Sequence, residues 1–241
     1  MSLKTYLSLS AAFLALLPLA SSCVEDDTEK VSFGVSVNGY ILQGGQEGQR
    51  TFSPYIVVSS NSYKYKLQSV NIYSSNGVKL PVDSTEDSYR FETLLSNPAC
   101  VFTDTARLNG DYTITATSQD GERATTEIAI KVARKDTLDD VRPTELSYDG
   151  SNIKVKVPAQ KAVKSYGIRL TPYNKEGRPL RSNSYYKVSQ NAYVGTDSVA
   201  TYSFPFYTSQ LGADYAEVRV YFAGGSSLVA ESDTSITIVK Q

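Results

Sequence analysis

Hydrophobic and polar residues alternate with a period of two along most of the chain. Val31, Phe33, Val35 and Val37 alternate with Ser32, Gly34, Ser36 and Asn38, the pattern of a strand with one face turned inward. Similar runs recur at Tyr55–Val58, Leu67–Tyr73, Val78–Val82, Tyr89–Thr93 and Cys100–Thr103. Turn signals stand between them at Gly44-Gly45, Asn76-Gly77, Asn97-Pro98 and Asn109-Gly110. No segment of about twelve residues carries a helical stripe, so the pattern predicts an all-β chain.

The run Leu108–Thr117 passes through Asp120-Gly121 into a second alternating strand, Ala124–Val132. Its Gly110-Asp111-Tyr112 resembles the last hairpin of immunoglobulin-like domains, where the tyrosine hydroxyl ties back to the backbone as a tyrosine corner. Ile114 stands where antibody-type domains carry their second cysteine, and the chain has no Trp, so the resemblance implies a sandwich held by core packing alone. A charged stretch, Ala133–Pro143, follows and reads as a linker. The strand pattern then resumes at Ile153–Val157, Tyr166–Leu170 and Val199–Phe206, with a turn at Lys175-Glu176-Gly177. Leu108-Asn109-Gly110-Asp111-Tyr112 is echoed as Leu211-Gly212-Ala213-Asp214-Tyr215, about 100 residues on, the size of one sandwich. The expected organisation is two tandem immunoglobulin-like or fibronectin-like β-sandwiches, residues 31–133 and 144–241, joined by linker 134–143. The alternative left open is one large barrel with an accidental echo.

Ahead of the first strand lies a different kind of segment. Lys4 precedes an apolar run from Leu7 to Ala20 that only Ser8, Ser10 and Pro18 interrupt, which reads as a secretory signal, residues 1–22. Cys23 directly after Ala20-Ser21-Ser22 resembles the lipobox of bacterial lipoproteins, although Leu19 sits one place further back than the usual leucine. Glu25-Asp26-Asp27, within an acidic tether at 23–30, resembles the export signal of Bacteroidota surface lipoproteins. The resemblance implies a lipid on Cys23 and display at the outer face of the outer membrane. An ordinary secretory cleavage with a chance cysteine, and residence in the periplasm, remain as alternatives.

The chain is 41% hydrophobic and 20% charged with a formal net charge of -1, enough apolar material for a core. No clustered basic face points to nucleic acid. After the signal no apolar run approaches the ~20 residues of a membrane-spanning helix, so lipid is the expected anchor. With Cys23 lipidated, Cys100 has no partner and reads as a buried, inert thiol.

Histidine is absent, which removes Ser-His-Asp and Cys-His nucleophiles and His-based metal sites. Ser-x-x-Lys occurs at Ser151–Lys154 and Ser184–Lys187, but in strand-like sequence residues three apart point to opposite faces. Asp136, Asp139 and Asp140 gather in the linker without a calcium-loop pattern. No catalytic residue, metal ligand or cofactor is expected; a small hydrolase using paired carboxylates is the remote alternative.

Tyrosine is abundant, at 18 residues. Most fall at strand positions, but Tyr63 and Tyr65 flank Lys64, and Tyr185, Tyr186 and Tyr193 lie in the polar run Arg181–Thr196. The last three are the candidate ligand-binding residues, because exposed rings stack on sugars or anchor proteins at small entropic cost. Ser84, Thr105, Thr137 and Ser198 each follow an Asp, resembling the Asp-Ser/Thr-aliphatic acceptor of Bacteroidota O-glycosylation. The expectation is a non-catalytic accessory protein of polysaccharide capture and uptake, partnered by the membrane, a polysaccharide or an outer-membrane protein. The alternative is an adhesion or scaffold protein.

Overall fold

The computed structural model describes residues 32–45, 49–132, 138, 142–158, 160, 163, 165–180, 185–189, 199–210, 212–223 and 227–240. Cys23, Glu25, Asp26, Asp27, Thr137, Tyr193 and Ser198 lie outside them, as do Asp136, Asp139, Asp140 and Ser184. The regular structure is strand throughout, apart from short 3-10 turns.

The first eight strands are β1 (Val35–Gly44), β2 (Thr51–Ser60), β3 (Leu67–Tyr73), β4 (Lys79–Leu80), β5 (Val82–Ser84), β6 (Arg90–Thr93), β7 (Gly110–Ser118) and β8 (Arg123–Ile130). They form two facing layers in the orders β1-β2-β6-β5 and β4-β3-β7-β8, the immunoglobulin arrangement of an ABED sheet on a CFG sheet. The next seven are β9 (Glu145–Tyr148), β10 (Asn152–Pro158), β11 (Ser165–Tyr173), β12 (Tyr185–Ser189), β13 (Val199–Pro205), β14 (Tyr215–Ala223) and β15 (Leu228–Val239). Their layers, β13-β10-β9 and β12-β11-β14-β15, repeat that plan, without a fourth strand in the first layer among the described residues. The chain is all-β, with two immunoglobulin-like sandwiches.

The join between them is not foreseen by the alternation. β15 pairs in parallel with β1, Ile41 with Leu228, Leu42 with Val229 and Gln43 with Ala230, and the Ile41 amide donates to the Ser227 carbonyl at 2.7 Å. Two half-sheets thereby become one sheet of eight strands, β12-β11-β14-β15-β1-β2-β6-β5. A buried clamp reinforces the seam: Gln43 Nε2 donates to the Leu138 carbonyl at 2.8 Å, and the Leu138 amide donates to Gln43 Oε1 at 3.1 Å. Leu138, from the charged stretch between the two halves, is itself buried.

Register then decides which face is covered. Ile41, Leu228, Ala230, Phe222, Val220 and Ile168 are paired across successive strands and all are buried, so both smaller layers pack on one side of the long sheet in a single apolar cluster. On the opposite side no described strand packs over the sheet.

Tyr112 forms the tyrosine corner, its hydroxyl donating to the Leu108 carbonyl at 2.7 Å from a site 2% exposed. Gly110 precedes it at φ 142, where an added Cβ would meet Ser75 Oγ at 2.4 Å, so the position demands glycine. Cys100 is fully buried, and burial pushes its thiol up to about 11.

Three expectations are corrected. Cys100–Thr103 is not a strand: Pro98, whose ring fixes φ, opens a 3-10 turn at Pro98–Cys100 capped by Asn97, and only Phe102 bridges to Phe52. Tyr65 does lie in a loop, but its ring is buried, edge-on to Phe33 at 5.5 Å, and offers no exposed face. The pentapeptide echo marks the same strand of each sandwich, but one residue out of phase. Tyr112 faces the core, whereas in β14 the core positions are Ala216, Val218, Val220 and Phe222, leaving Tyr215 half-buried on the other face and stacked on Tyr173 at 5.1 Å.

Candidate functional site

Alternation places every second residue of β11, β14, β15, β1, β2 and β6 on the open face. β1 contributes Asn38, Tyr40 and Leu42, and β2 contributes Tyr55, Val57 and Ser59. Across the seam β15 adds Val229 and Glu231, β14 adds Tyr221, and β11 adds Arg169. These side chains, with Arg90 of β6, line a depression of about 370 Å³ centred on the β1–β15 junction, within the size range of small-ligand sites.

Two further depressions adjoin it. One, of about 300 Å³, shares Tyr55 and Arg169 and extends along β11 and β14 to Tyr173, Glu217 and Arg219. The other, of about 250 Å³, shares Ser59 and Arg90 and reaches Tyr63, Asp87 and Tyr89. Each contains or abuts a pair of tyrosine rings: Tyr63 and Tyr89 at 5.6 Å, Tyr40 and Tyr55 at 5.1 Å, and Tyr173 stacked on Tyr215 at 5.1 Å. Tyr63 is 88% exposed. The three together form one groove that crosses both sandwiches.

Arginine–glutamate pairs stand between the rings. Arg169 grips Glu231 side-on, Nε to Oε1 and Nη2 to Oε2, both at 2.8 Å. Arg90 pairs with Glu92 at 2.6 Å, and Glu92 also accepts from the Tyr55 hydroxyl at 2.9 Å. Arg219 holds Glu217 through Nη2 at 2.8 Å and Nε at 3.2 Å, and the Tyr173 hydroxyl donates to Glu217 at 3.2 Å. Burial pushes the Glu231 carboxyl above its ordinary value, with Arg169 and Arg219 pulling it back. Burial also raises Glu217, but hydrogen bonds from Arg219 and Ser235 outweigh it and hold that carboxyl low. Of the three pairs, only that of Arg169 and Glu231 sets two nitrogens against two carboxylate oxygens, while Arg219 directs both of its nitrogens at one oxygen of Glu217. Charge-assisted contacts of this kind are short and directional, so the groove presents held donors and acceptors beside aromatic rings. That is chemistry for recognition.

The residues singled out from the sequence fall elsewhere or partly here. Tyr185 and Tyr186 lie on β12, the edge strand of the long sheet, where the register sets Tyr186 opposite Arg169 and Tyr185 opposite Leu170. Of the glycosylation candidates, Ser84 is exposed at the end of β5, while Thr105 is buried in a 3-10 turn. Lys154 pairs with Asp149 at 2.9 Å, and Ser151 also donates to Asp149. Lys154 above all, with Ser151 and Asn152, holds the Asp149 carboxyl well below the usual range, so at Ser151–Lys154 both side chains turn to Asp149; Ser184 lies outside the described residues. Among the described residues no cluster of three His, Cys, Asp or Glu could hold a metal. Tyr40, Tyr55, Tyr221, Arg169 and Glu231 were not singled out. The available signal was the charged and aromatic alternation of Glu217, Arg219 and Tyr221 within one strand.

No protein-family model matches the chain, and no curated protein matches it in sequence. Solved structures do resemble it in shape. A DUF3823 family protein from Bacteroides ovatus is 14% identical, with 84% of this chain and 100% of that one covered and a TM-score of 0.32. Another from Parabacteroides merdae is 11% identical over 82% and 98%, at 0.30. The FN1–FN3 domains of chicken CNTN1 are 13% identical over 86% and 66%, at 0.27. At such low TM-scores the fold assignment rests on the strand order itself.

Proposed function

We propose that this chain is a non-catalytic, lipid-anchored surface protein that binds a glycan along the open face of its eight-stranded sheet, as an accessory component of polysaccharide capture. The observation that carries the reading is the series of three adjoining depressions, each with a tyrosine pair in it or beside it, running across both sandwiches. A polymer chain offers repeated rings and hydroxyls at intervals, and a groove with repeated aromatic faces and rigid polar pairs matches that periodicity.

Affinity electrophoresis of the detergent-solubilised mature chain in polysaccharide-containing gels tests it. Retardation by at least one polymer is expected, abolished by Tyr40→Ala combined with Tyr63→Ala. Tyr63 is almost wholly exposed and Tyr40 half-buried, so the double variant keeps its fold, which circular dichroism checks. Failure of every polymer to retard the wild type ends the glycan reading and favours a protein ligand, the adhesion or scaffold alternative.

The anchor is a separate part of the proposal, supported by the resemblance of the Cys23 segment to a lipobox. Radiolabelled palmitate is expected to enter the wild-type chain and not Cys23→Ala; labelling of the variant would exclude Cys23 as the anchor. Of the two described acceptor candidates, Ser84 is the accessible one, since it is exposed while Thr105 is buried.

A further inference from the structure

We infer that the groove takes a neutral glycan and rejects chains of uronic acids, a conclusion that rests on the glycan reading above and narrows it to one chemical class. The walls of the two larger depressions carry three arginines, Arg90, Arg169 and Arg219, and three glutamates, Glu92, Glu231 and Glu217. Each arginine lies within 2.8 Å of its glutamate. The cationic groups are thus matched one for one inside the protein.

That matching decides the ligand's charge. An arginine that recognises a carboxylate does so by presenting two parallel N–H groups to it. At Arg169 that edge already faces Glu231: Nη2 donates to Oε2 and Nε stands 2.8 Å from Oε1. A uronate entering here would have to displace a glutamate from its arginine or lie beside it, and a displaced, partly buried glutamate left without a partner is costly. In the third depression Asp87, which accepts from Thr85 and from the Tyr89 amide, sets a negative charge beside Arg90 against the Lys66 ammonium 5.7 Å over the Tyr89 ring, so that end is balanced as well. A neutral sugar meets no such opposition. Its hydroxyls both donate and accept, so each can bridge a guanidinium and a carboxylate set side by side, while the ring packs on Tyr40.

The test runs the detergent-solubilised mature chain in gels containing neutral polymers (a β-glucan, a mannan, a xylan) or polygalacturonate. Retention by a neutral polymer, unchanged from about 0.01 to about 1 M NaCl, is expected, because the Debye length falls from about 30 to about 3 Å over that range without effect on uncharged partners. No retention by polygalacturonate is expected. Polygalacturonate retention with loss at high salt overturns the inference and leaves the glycan reading standing, whereas no retention by any polymer overturns both. Glu231→Gln, an isosteric change, uncovers the charge of Arg169 and is expected to make polygalacturonate retention appear at low salt and vanish at high salt. An unchanged, folded Glu231→Gln chain overturns the matching argument, and Glu92→Gln repeats the measurement at Arg90 should the first variant not fold.

Discussion

Tyr112→Ala is expected to destabilise the fold by about 3–5 kcal/mol, the range for removing a buried aromatic ring, and Tyr112→Phe by about 1–3 kcal/mol. The ring is 2% exposed in the core of the first sandwich, and its hydroxyl closes a 2.7 Å bond to the Leu108 carbonyl four residues back. Phenylalanine keeps the packing and orphans only that buried carbonyl; alanine also opens a cavity. Urea denaturation of the three chains checks both values, and near-equality of Tyr112→Phe and wild type would show that water replaces the hydroxyl.

The same ring makes stability fall in alkali. Burial, aided by the nearby Cys100, pushes Tyr112 from 10.0 to about 12, and burial pushes Cys100 from 9.0 to about 11. In each case the folded chain keeps a proton that the unfolded chain gives up, so stability is full below the ordinary value and is lost as pH rises through the raised one. The loss therefore begins near 9 for Cys100, continues to about 11, and is carried by Tyr112 between 10 and about 12. Tyr112→Phe removes only the upper part of this loss, which denaturation midpoints measured between these limits resolve.

Period-two alternation made the strand class legible, and Gly110-Asp111-Tyr112 made the tyrosine corner legible, because both are local: the residues that need each other stand within a few positions. The groove is not local. Tyr40 and Glu231 meet only because β1 and β15, from opposite ends of the described chain, pair in parallel over three residues, and nothing in either strand names the other as its partner. The echo at Tyr215 misled for a related reason. It marked the right strand, but a strand's inward face is set by its whole run of apolar residues, Ala216 to Phe222, and not by one tyrosine. A polar run with tyrosines at 185 and 186 formed an edge strand because β11 offered it a free ladder, again a tertiary cause.

Gln43→Met is expected to cost roughly 2–6 kcal/mol although it conserves the side chain's length and buries no new polar atom. Gln43 is 3% exposed, and both its amide atoms are committed to Leu138. Methionine leaves a buried N–H and a buried carbonyl without partners, at about 1–3 kcal/mol each. For a chain of this size about 2–4 °C of Tm accompanies each kcal/mol, so a drop of several degrees should be plain by calorimetry. The transition should also broaden, because the clamp and the three-residue parallel ladder lie on the seam through which the two sandwiches share one sheet and one apolar cluster. Gln43 faces the core, while its neighbour Leu42 and the opposed Val229 line the groove. Loosening the clamp should therefore weaken polysaccharide retention without touching a groove atom. A variant that melts early yet binds as the wild type does would place the ligand on one sandwich alone.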